Sequence, residues 1–435
     1  MGAMNTVSIL SLFYGSASVH KIIDSVIEDI CDGRNVFLLL TEEIDRMHIS
    51  SHVFNALYRK EFIVEKVDVS EIEESLSLAD ALGQRLQITW EQGKERTIGN
   101  LLNSDGLPEV IILEGLETLE DGIARNWIKM LDQWVQQIKT SHDAGARSTL
   151  FFTAIPAMRF FQNIPNPGPS LSLRWWWGIP STLETQCLCR ACIENGATEG
   201  KLQAQWVESI VPGIIGNDVD FGSFILEALY EPMEAIETRL IEYAHKRSWK
   251  EEILKKWGID ETFCRSIKTI ATDSISPLMP PPKLRELWSK GIVSWTPENG
   301  AEIHLAAIAV LGWKNEIRHR FWREQAKLLL PVIDSLRIHI CEKMTSEYGD
   351  NWHTRYCTPS NIQTTELQES PLACEWGYLE YIFKTVHAFR KQNSLLSLIM
   401  QARSIRNKLA HYQTIDYFIY AKFIKEYQAK ARLLL

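Results

Sequence analysis

The run Asn35-Val-Phe-Leu-Leu-Leu40 decides the fold of the first third of this chain, and Thr41-Glu-Glu-Ile-Asp-Arg-Met-His-Ile-Ser-Ser51 follows it directly. A short, unbroken apolar run is typical of a strand that is buried on both faces of a parallel sheet. A helical pattern follows from about Val53 to Tyr58. A buried strand that leads through a polar loop into a helix is the opening half of an α/β unit.

The same alternation of strand and helix continues to about residue 160. Further strand and helix patterns lie at Phe62–Val67, Glu109–Glu114, Ser148–Thr153, Val19–Ile30 and Leu119–Ile138. Strands that alternate with helices predict a parallel sheet that is covered by helices on both faces.

The order of these elements resembles a nucleoside-triphosphatase core of the AAA/STAND type. In that resemblance the strand at 35–40 leads into the phosphate loop, and the strand that ends at Glu114 takes the Walker B position. The strand at 149–153 takes the sensor position. The resemblance implies an ATPase-like α/β fold over about residues 5–165.

The segment after the first strand lacks the chemistry of a phosphate loop. Such a loop needs glycines, whose backbone N–H groups wrap the phosphates, and a Lys-Ser/Thr pair. Residues 41–51 contain neither glycine nor lysine, and they carry the carboxylates of Glu42, Glu43 and Asp45. We therefore expect a degenerate domain that binds no nucleotide or other cofactor and docks a protein partner instead, such as an intact ATPase. The alternative is any other doubly wound α/β domain.

His48 and His52 are four residues apart, so a helix places them on one face. They lack a third ligand, and no metal site is expected there.

Residues 170–300 form a predicted middle domain, which begins after the proline-rich break at 164–169. The Trp175–Trp177 run is too bulky for all three rings to point inward from one element, so core or interface packing is expected, with a base-stacking platform as the alternative. Cys187, Cys189 and Cys192 lack a fourth ligand, so buried thiols on a helix are favoured over a zinc site.

The pattern from Gln205 to Ile270 is helical, and prolines interrupt it between 277 and 282. A short helix and a strand are expected over Leu284–Trp295. The whole region suits the small helical or winged-helix lid that follows an ATPase core. A weaker alternative is a DNA-binding regulator that uses this winged helix.

Residues 301–435 predict an up-down helical bundle. Its helical patterns cover Ile303–Leu311, Glu316–Met344, Leu372–Phe389, Leu395–Leu409 and Ile415–Leu434. Pro331 lies inside the longest pattern, so a kink or a break is expected there.

The sharpest functional signal is Ser404-Ile-Arg-Asn-Lys-Leu-Ala-His411. Arg406 and His411 are separated by about 500° of helix rotation, but His411 can swing back toward the arginine if the helix ends near Ala410. An imidazole can move the proton of an RNA 2′-hydroxyl or of the leaving oxygen, and a guanidinium stabilises the charge on the pentacoordinate phosphate. Asn407 can orient the pair by hydrogen bonding.

These residues resemble the motif of the HEPN superfamily, in which an arginine and a polar residue are followed by a histidine after four to six positions. The resemblance covers about residues 315–435, with Glu375-Trp-Gly-Tyr-Leu379 as the preceding helix. It implies catalysis by Arg406, Asn407 and His411, cleavage of RNA without metal, and dimerisation that pairs two motifs. The structural alternative is that Arg406 braces the bundle and His411 is a satisfied residue at a helix end.

Charge is distributed unevenly along the chain. Residues 1–130 carry 22 Asp/Glu against 11 Lys/Arg, a net charge of −11, whereas the residues from Tyr381 onward carry 10 Lys/Arg against 2 Asp/Glu, a net charge of +8. The basic end suits a polyanion or an acidic partner domain. The side chains expected to contact RNA phosphates are those of Arg403, Lys408, Lys391, Lys422 and Lys425.

Length and composition complete the expectation. The chain has 435 residues, of which 45% are hydrophobic and 23% are charged, and these values exclude global disorder. Scattered cysteines and the lack of a membrane-spanning run predict a cytoplasmic protein. The resemblances to an ATPase-like core and to the HEPN superfamily together imply a prokaryotic anti-phage or toxin-type protein with an α/β sensor domain and a HEPN ribonuclease. The alternative is a non-enzymatic scaffold subunit of a defence complex.

Overall fold

A computed structural model describes residues 12–72, 77–91, 93–142, 148–160, 163–193, 200–272, 278–355 and 370–431 of the chain. The chain divides into two compact units. Unit 1 comprises Met1–Leu188, Gly216–Asp220 and Lys255–His304, and unit 2 comprises Cys189–Ile215, Phe221–Leu254 and Leu305–Leu435. The middle stretch at 170–300 thus contributes residues to both units, and the three predicted domains stay a prediction.

Helices and strands are labelled in chain order. The helices are α1 (Ala17–Cys31), α2 (Arg46–Arg59), α3 (Leu78–Arg85), α4 (Ile98–Leu102), α5 (Asp121–His142), α6 (Ala157–Phe160), α7 (Thr182–Cys192), α8 (Lys201–Ile215), α9 (Val219–Ile225), α10 (Met233–Lys246), α11 (Glu251–Lys256), α12 (Glu261–Thr272), α13 (Arg285–Ser289), α14 (Leu305–Val310), α15 (Lys314–Tyr348), α16 (Trp352–Arg355), α17 (Trp376–Thr385), α18 (Asn393–Ala410) and α19 (Tyr417–Lys430). Short 3₁₀ segments lie at Val69–Glu71, Leu226–Tyr230, Pro371–Ala373 and His387–Gln392. The strands are β1 (Asn35–Leu40), β2 (Val64–Asp68), β3 (Val110–Glu114), β4 (Leu150–Pro156), β5 (Leu171–Trp175), β6 (Val293–Thr296) and β7 (Gly300–Ile303).

Unit 1 is built on a five-stranded sheet of order β2-β3-β4-β1-β5, in which all the pairs are parallel. The predicted parallel α/β fold is confirmed. Strand β4, in the predicted sensor position, lies between β1 and β3, which take the phosphate-loop and Walker B positions. This order is consistent with an ATPase-like domain.

The internal strand β1, which lies between β4 and β5, is buried along its whole length, and this explains its unbroken apolar run. Its one polar residue, Asn35, is satisfied on both sides. The Asn35 amide donates to the Ser170 carbonyl at 3.0 Å, and its Oδ1 accepts from the Phe151 backbone N–H at 2.8 Å. Asn35 therefore ties the starts of three neighbouring strands together.

The Trp175–Trp177 run lies in the core of unit 1, where each ring is at most 6% exposed. Packing in the core is confirmed. All three rings can be buried because they do not belong to one element: β5 ends at Trp175 and the chain turns beyond it. Trp177 stacks on Trp295 with 5.7 Å between ring centroids, and Trp175 lies 5.5 Å from Trp288. A solvent-facing base platform at these rings is thereby excluded.

A small antiparallel hairpin of β6 and β7 follows helix α13 in unit 1. The short helix and strand predicted over Leu284–Trp295 are both present. Helix α12 packs against β7.

Unit 2 is helical in its described residues, and its longest helix, α15, runs without a break through Pro331. The break considered at this proline does not occur. Proline removes one backbone hydrogen bond and crowds the preceding turn. Burial of Leu329, Ile333 and Leu336 on both sides of it holds the helix together against that cost.

Helix α8 approaches α15 closely at Gly213. A Cβ atom at this position would lie 2.1 Å from the Glu324 carboxyl carbon, so only glycine fits. The Arg323 guanidinium donates to the Gly213 carbonyl at 3.0 Å and to the Glu324 carboxylate at 2.6 Å. This contact fixes the amino-terminal half of α15, which carries several residues of the site below.

Within the described ranges, no helix has both the length and the apolar character needed to cross a membrane.

Candidate functional site

The predicted motif lies at the carboxyl end of α18, which stops at Ala410 as the swing of His411 requires. Tyr412 adopts the left-handed conformation, with φ 58°. The backbone N–H of Gln413 donates to the Lys408 carbonyl at 2.9 Å, and that of Tyr412 donates to the Leu409 carbonyl at 3.2 Å. These two bonds form a Schellman motif, which places His411 at the helix cap.

A bulky residue in the left-handed conformation is unusual, because the Cβ atom crowds the neighbouring carbonyl. Trp322 of α15 holds it there. Its indole N–H donates to the Leu409 carbonyl at 2.7 Å, and its ring centroid lies 4.6 Å from that of Tyr412. Tyr412 nevertheless remains 67% exposed. The turn after α18 is further fixed by Gln325, whose side-chain amide exchanges two hydrogen bonds with the backbone of Ile415.

Arg406 and His411 are not joined by a hydrogen bond or an ion pair in the described part of the chain. The Arg406 guanidinium lies 3.4 Å from the Glu375 carboxylate and 3.4 Å from the Asn407 side-chain oxygen. Arg406 and Glu375 are both about half exposed, and such pairs contribute little to stability. The His411 side chain is exposed, and among the described residues it has no partner.

The predicted RNA-contacting cations fall into different environments. Arg403 donates to the Glu380 carboxylate at 2.8 Å, and Lys384 donates to the same group. These hydrogen bonds, with that from Lys384 the stronger, lower the pKa of Glu380. Arg403 is therefore already paired. The side chain of Lys391 lies outside the described part of the structure.

Lys422 and Lys425 are exposed on α19. Phe418, which is 70% exposed, precedes Lys422 by four residues, and Lys422 precedes Lys425 by three. The three side chains therefore share one face of the helix. An exposed aromatic ring beside two lysines is a surface that suits single-stranded nucleic acid.

Unit 2 contains a cleft of about 770 Å³, and its lining includes Tyr412, the residue that follows His411 in the sequence. It was not predicted. The end of α18 and the amino-terminal ends of α10, α15 and α19 form its walls. Its lining includes the side chains of Asn315, His319, Lys408, Tyr412, Gln413 and Asp416. The signal in the sequence that could have indicated this cleft is Tyr412, the tyrosine that directly follows the motif histidine.

Charge in this cleft is partly neutralised. Arg318 lies 3.6 Å from the Glu234 carboxylate, and Glu316 pairs with Arg320 at 3.1 Å. In contrast, Lys408, His319 and Asp416 have no ion-pair partner within the described ranges. Asp416 precedes α19 as its N-cap residue, but its carboxylate makes no capping hydrogen bond. The cleft therefore offers a cation, a carboxylate and exposed rings to a ligand.

The loop after β1, which corresponds to the phosphate loop in the ATPase resemblance, contains Asp45 at the start of α2. Asp45 caps α2, accepting hydrogen bonds from the backbone N–H groups of Met47 at 3.0 Å and His48 at 3.3 Å. Its other oxygen lies 2.8 Å from Nδ1 of His48. Burial raises the pKa of Asp45, but the hydrogen bonds from His48 and Met47 outweigh it, and the net pKa is lowered. A carboxylate of the chain itself thus occupies the anion-binding end of this helix.

The acidic groups near the Walker B position are also paired. Glu114 lies 3.3 Å from the Lys66 ammonium group, and Glu117 lies 3.1 Å from the Arg46 guanidinium. The space beside Thr41 is a cavity of only about 20 Å³, walled in part by Trp176. That volume holds about one water molecule, whereas small-molecule sites typically need 300 Å³ or more.

His48 and His52 lie on α2, and both face the Tyr14 ring, at centroid distances of 4.9 and 6.0 Å. Their shared face is confirmed, and its neighbour is an aromatic side chain. Burial raises the pKa of Tyr14 to about 12, with a smaller contribution from Asp45.

Cys187, Cys189 and Cys192 all lie on α7, as predicted, but the expectation that all three thiols are buried is wrong: Cys189 is buried, Cys192 is half-buried and Cys187 is exposed. Burial raises the pKa of the Cys189 thiol to about 12, so it is poorly reactive. Over the residues that the structure describes, no group of three or more His, Cys, Asp or Glu side chains is placed to hold a metal ion.

No protein-family model matches the chain, and no curated protein matches it. The solved structures that are similar to it include two that each cover more than half of the chain. One is a crystal structure of a DNA replication initiation factor, with 10% identity and a TM-score of 0.28 over 63% of this chain and 76% of that one. The other is the AMPPCP-bound DnaA of Aquifex aeolicus, with 10% identity and a TM-score of 0.30 over 75% of this chain and 94% of that one. Both similarities are weak, and the ATPase-like reading of unit 1 rests on its own strand order.

Proposed function

We propose that this protein is a metal-independent endoribonuclease of the toxin or anti-phage defence type, with Arg406, Asn407 and His411 at its site. The observation that carries the proposal is the imidazole of His411 at the capped end of α18, which is exposed and has no partner among the residues that the structure describes. A histidine that served only to brace the bundle would have a partner. Arg406 and Asn407 lie one turn earlier on the same helix and are only partly buried.

The chemistry that these residues offer is transesterification. His411 takes the proton of a ribose 2′-hydroxyl, and the 2′-oxygen attacks the adjacent phosphorus atom. Arg406 stabilises the added negative charge on the phosphate. The bond to the 5′-oxygen then breaks, and this oxygen takes up a proton. The products are a 2′,3′-cyclic phosphate and a free 5′-hydroxyl.

This reaction favours a dimer. The attacking and leaving oxygens stand on opposite sides of the phosphorus atom, so one imidazole can serve only one of them in a single step. A second copy of the chain supplies the second histidine. The HEPN resemblance implies the same pairing.

Unit 1 is proposed to regulate the ribonuclease without binding nucleotide. Asp45 takes the place of phosphate at the end of α2, and the cavity beside Thr41 is water-sized. A protein partner, such as an active ATPase of the same defence system, is then the ligand of this domain. Its acidic composition suits a basic partner surface.

The test is cleavage of RNA by the full chain in EDTA, with His411→Ala and Arg406→Ala as variants. His245 is the matched control, because it is also exposed in the last turn of a helix, α10. We expect wild type and His245→Ala to cleave and the two motif variants to lose at least about a hundredfold in rate. Equal rates for wild type and His411→Ala would overturn the assignment.

A scaffold role is the second candidate, and the Arg406–Glu375 pair favours it. In a scaffold this contact would hold α17 against α18. Glu375→Gln separates the two roles. It frees Arg406 and leaves cleavage intact or faster if the arginine is catalytic, whereas it weakens assembly with partner subunits if the pair is structural.

A further inference from the structure

We infer that the cleft at Tyr412 binds one nucleotide of a single-stranded RNA, with its base stacked on the Tyr412 ring. The inference rests on the proposed function for its biological ligand. It goes further by naming a recognition pocket that is separate from the Arg406, Asn407 and His411 motif.

Two features of Tyr412 point to a stacking ligand. Its ring is 67% exposed, although a large aromatic side chain normally gains from burial. Its backbone is held in a conformation that suits glycine better, and Trp322 and the Schellman bonds fix it there. Backbone strain at an exposed aromatic residue is explained if a ligand requires the ring in one position and one orientation.

Lys408 supplies a cation for the phosphate of the nucleotide, and His319 supplies a second aromatic ring beside the base. Lys408 lies one turn before Tyr412 and has no ion-pair partner among the described residues. The His319 ring lies 5.3 Å from that of Trp322, so it stands beside the Trp322–Tyr412 pair. A cation next to an aromatic platform is the general pattern of single-strand binding.

Asp416 suggests which base edge is read. Its carboxylate makes no capping bond, and it lines the cleft with the amides of Gln413 and Asn315. A free carboxylate accepts hydrogen bonds from exocyclic amino groups, such as N4 of cytosine. Uracil presents an oxygen at that position, which repels the carboxylate. The pocket therefore prefers cytosine over uracil.

The position of the cleft relates it to the ribonuclease motif. Lys408 and Tyr412 line it, and His411 lies between them in the sequence. A base seated on Tyr412 brings its neighbouring phosphodiester to the end of α18, where the imidazole is exposed. The cleft thus selects a base and the motif cleaves beside it.

The experiment measures binding of a fluorescent oligomer of 2′-O-methylcytidine to the full chain by anisotropy. This probe lacks the 2′-hydroxyl and cannot be cleaved, so binding is measured whether or not the protein is a ribonuclease. Tyr412→Gly removes the ring at a position whose backbone suits glycine, and Tyr412→Phe retains the ring. We expect Tyr412→Gly to weaken binding about 5- to 150-fold, the equivalent of one stacked base, and Tyr412→Phe to weaken it less than about threefold.

A second comparison tests the base preference. The cytidine probe should bind more tightly than the matching uridine probe, and Asp416→Ala should reduce that difference. Equal binding by wild type and Tyr412→Gly, or no binding by wild type, would overturn the inference even if the protein cleaves RNA. Tyr412-dependent binding supports it even if His411→Ala cleaves like wild type, so the two proposals fail separately.

Discussion

The indole nitrogen of Trp322 donates a 2.7 Å hydrogen bond to the carbonyl oxygen of Leu409. The same carbonyl accepts the backbone N–H of Tyr412 at 3.2 Å, so both of its acceptor positions are used, one by the turn itself and one by a neighbouring helix. The consequence is a fixed turn directly after His411. The backbone position of His411 is therefore fixed in part by Trp322, a residue 89 positions earlier in the chain.

Replacing Trp322 by phenylalanine is expected to loosen that turn. The lost hydrogen bond should lower the free energy of unfolding by about 1 kcal/mol. Cleavage of RNA should fall about ten- to a hundredfold, because the backbone turn that carries His411 is no longer fixed. Rates at saturating RNA and urea unfolding measure the two effects.

Trp206 provides the matched control for this change. Its buried indole also donates to a carbonyl, that of Leu229 at 3.1 Å, but its ring packs on Tyr417 and Tyr420 of α19 and not on Tyr412. Trp206→Phe should cost similar stability and leave cleavage unchanged. If both variants lost cleavage equally, the effect of Trp322 would be general instability.

The sequence was sufficient for the local elements and insufficient for the contacts between them. The apolar run of β1 predicted a strand that is buried on both faces of a parallel sheet, because such burial leaves no polar position. The end of α18 at Ala410 also followed from the pattern. The pairing of Arg403 with Glu380 did not, because the two residues are on different helices. The cleft at Tyr412 was equally hidden, since four helix ends far apart in the sequence form it.

Two expectations depended on contacts outside the local sequence. The Trp175–Trp177 run was expected in the core or at an interface, and a kink or a break was expected at Pro331 of α15. Each expectation considered a residue within its own element only. In the fold, Trp288 and Trp295 surround the tryptophans, and buried side chains on both sides of Pro331 support the helix. Tertiary packing decided both cases.

Asp45 is expected to stabilise unit 1 at neutral pH, and this contribution to the free energy of unfolding is expected to be lost in acid. Its pKa is lower in the folded chain than in the unfolded one, so its contribution is fully present above the unfolded pKa and is lost as the pH falls through the folded pKa. Asp45→Ala should cost about 1 kcal/mol at neutral pH, the usual value of a helix cap. Urea unfolding between about pH 5 and pH 3 should show the difference from wild type shrinking.

Asp45→Asn is the control for the charge, since asparagine caps helices about as well as aspartate does. It should retain most of the stability at neutral pH without the acid-dependent loss. A constant gap between wild type and Asp45→Ala at all pH values would show that the carboxylate charge has no role in the cap.

Magnesium ATP at millimolar concentration is expected to leave the thermal unfolding of the protein unchanged within about 1 °C. The reason is that Asp45 already holds the N–H groups at the start of α2, and the cavity beside Thr41 holds about one water molecule. Differential scanning fluorimetry measures the shift. A rise of several degrees would show that nucleotide binds and that the domain is not degenerate.

Lys422 and Lys425 are expected to contribute to the salt dependence of RNA binding, whereas Arg403 is expected to contribute nothing to it. The two lysines are exposed without partners among the described residues, whereas Arg403 is held by Glu380. Each phosphate contact in a single strand contributes about 0.7 to the slope of log affinity against log salt. The double change to glutamine should therefore reduce the slope by about 1.4, and Arg403→Gln should leave it unchanged.

Lys21 and Lys60 form the control pair, because both are exposed in unit 1 and their removal changes the net charge by the same amount. Anisotropy titrations of an uncleavable RNA at several salt concentrations give the slopes. If the control pair reduced the slope as much as Lys422 and Lys425 do, RNA would respond to net charge alone. A slope that fell only in the α19 variant would place the phosphates along Phe418, Lys422 and Lys425, since a local contact releases its own counterions.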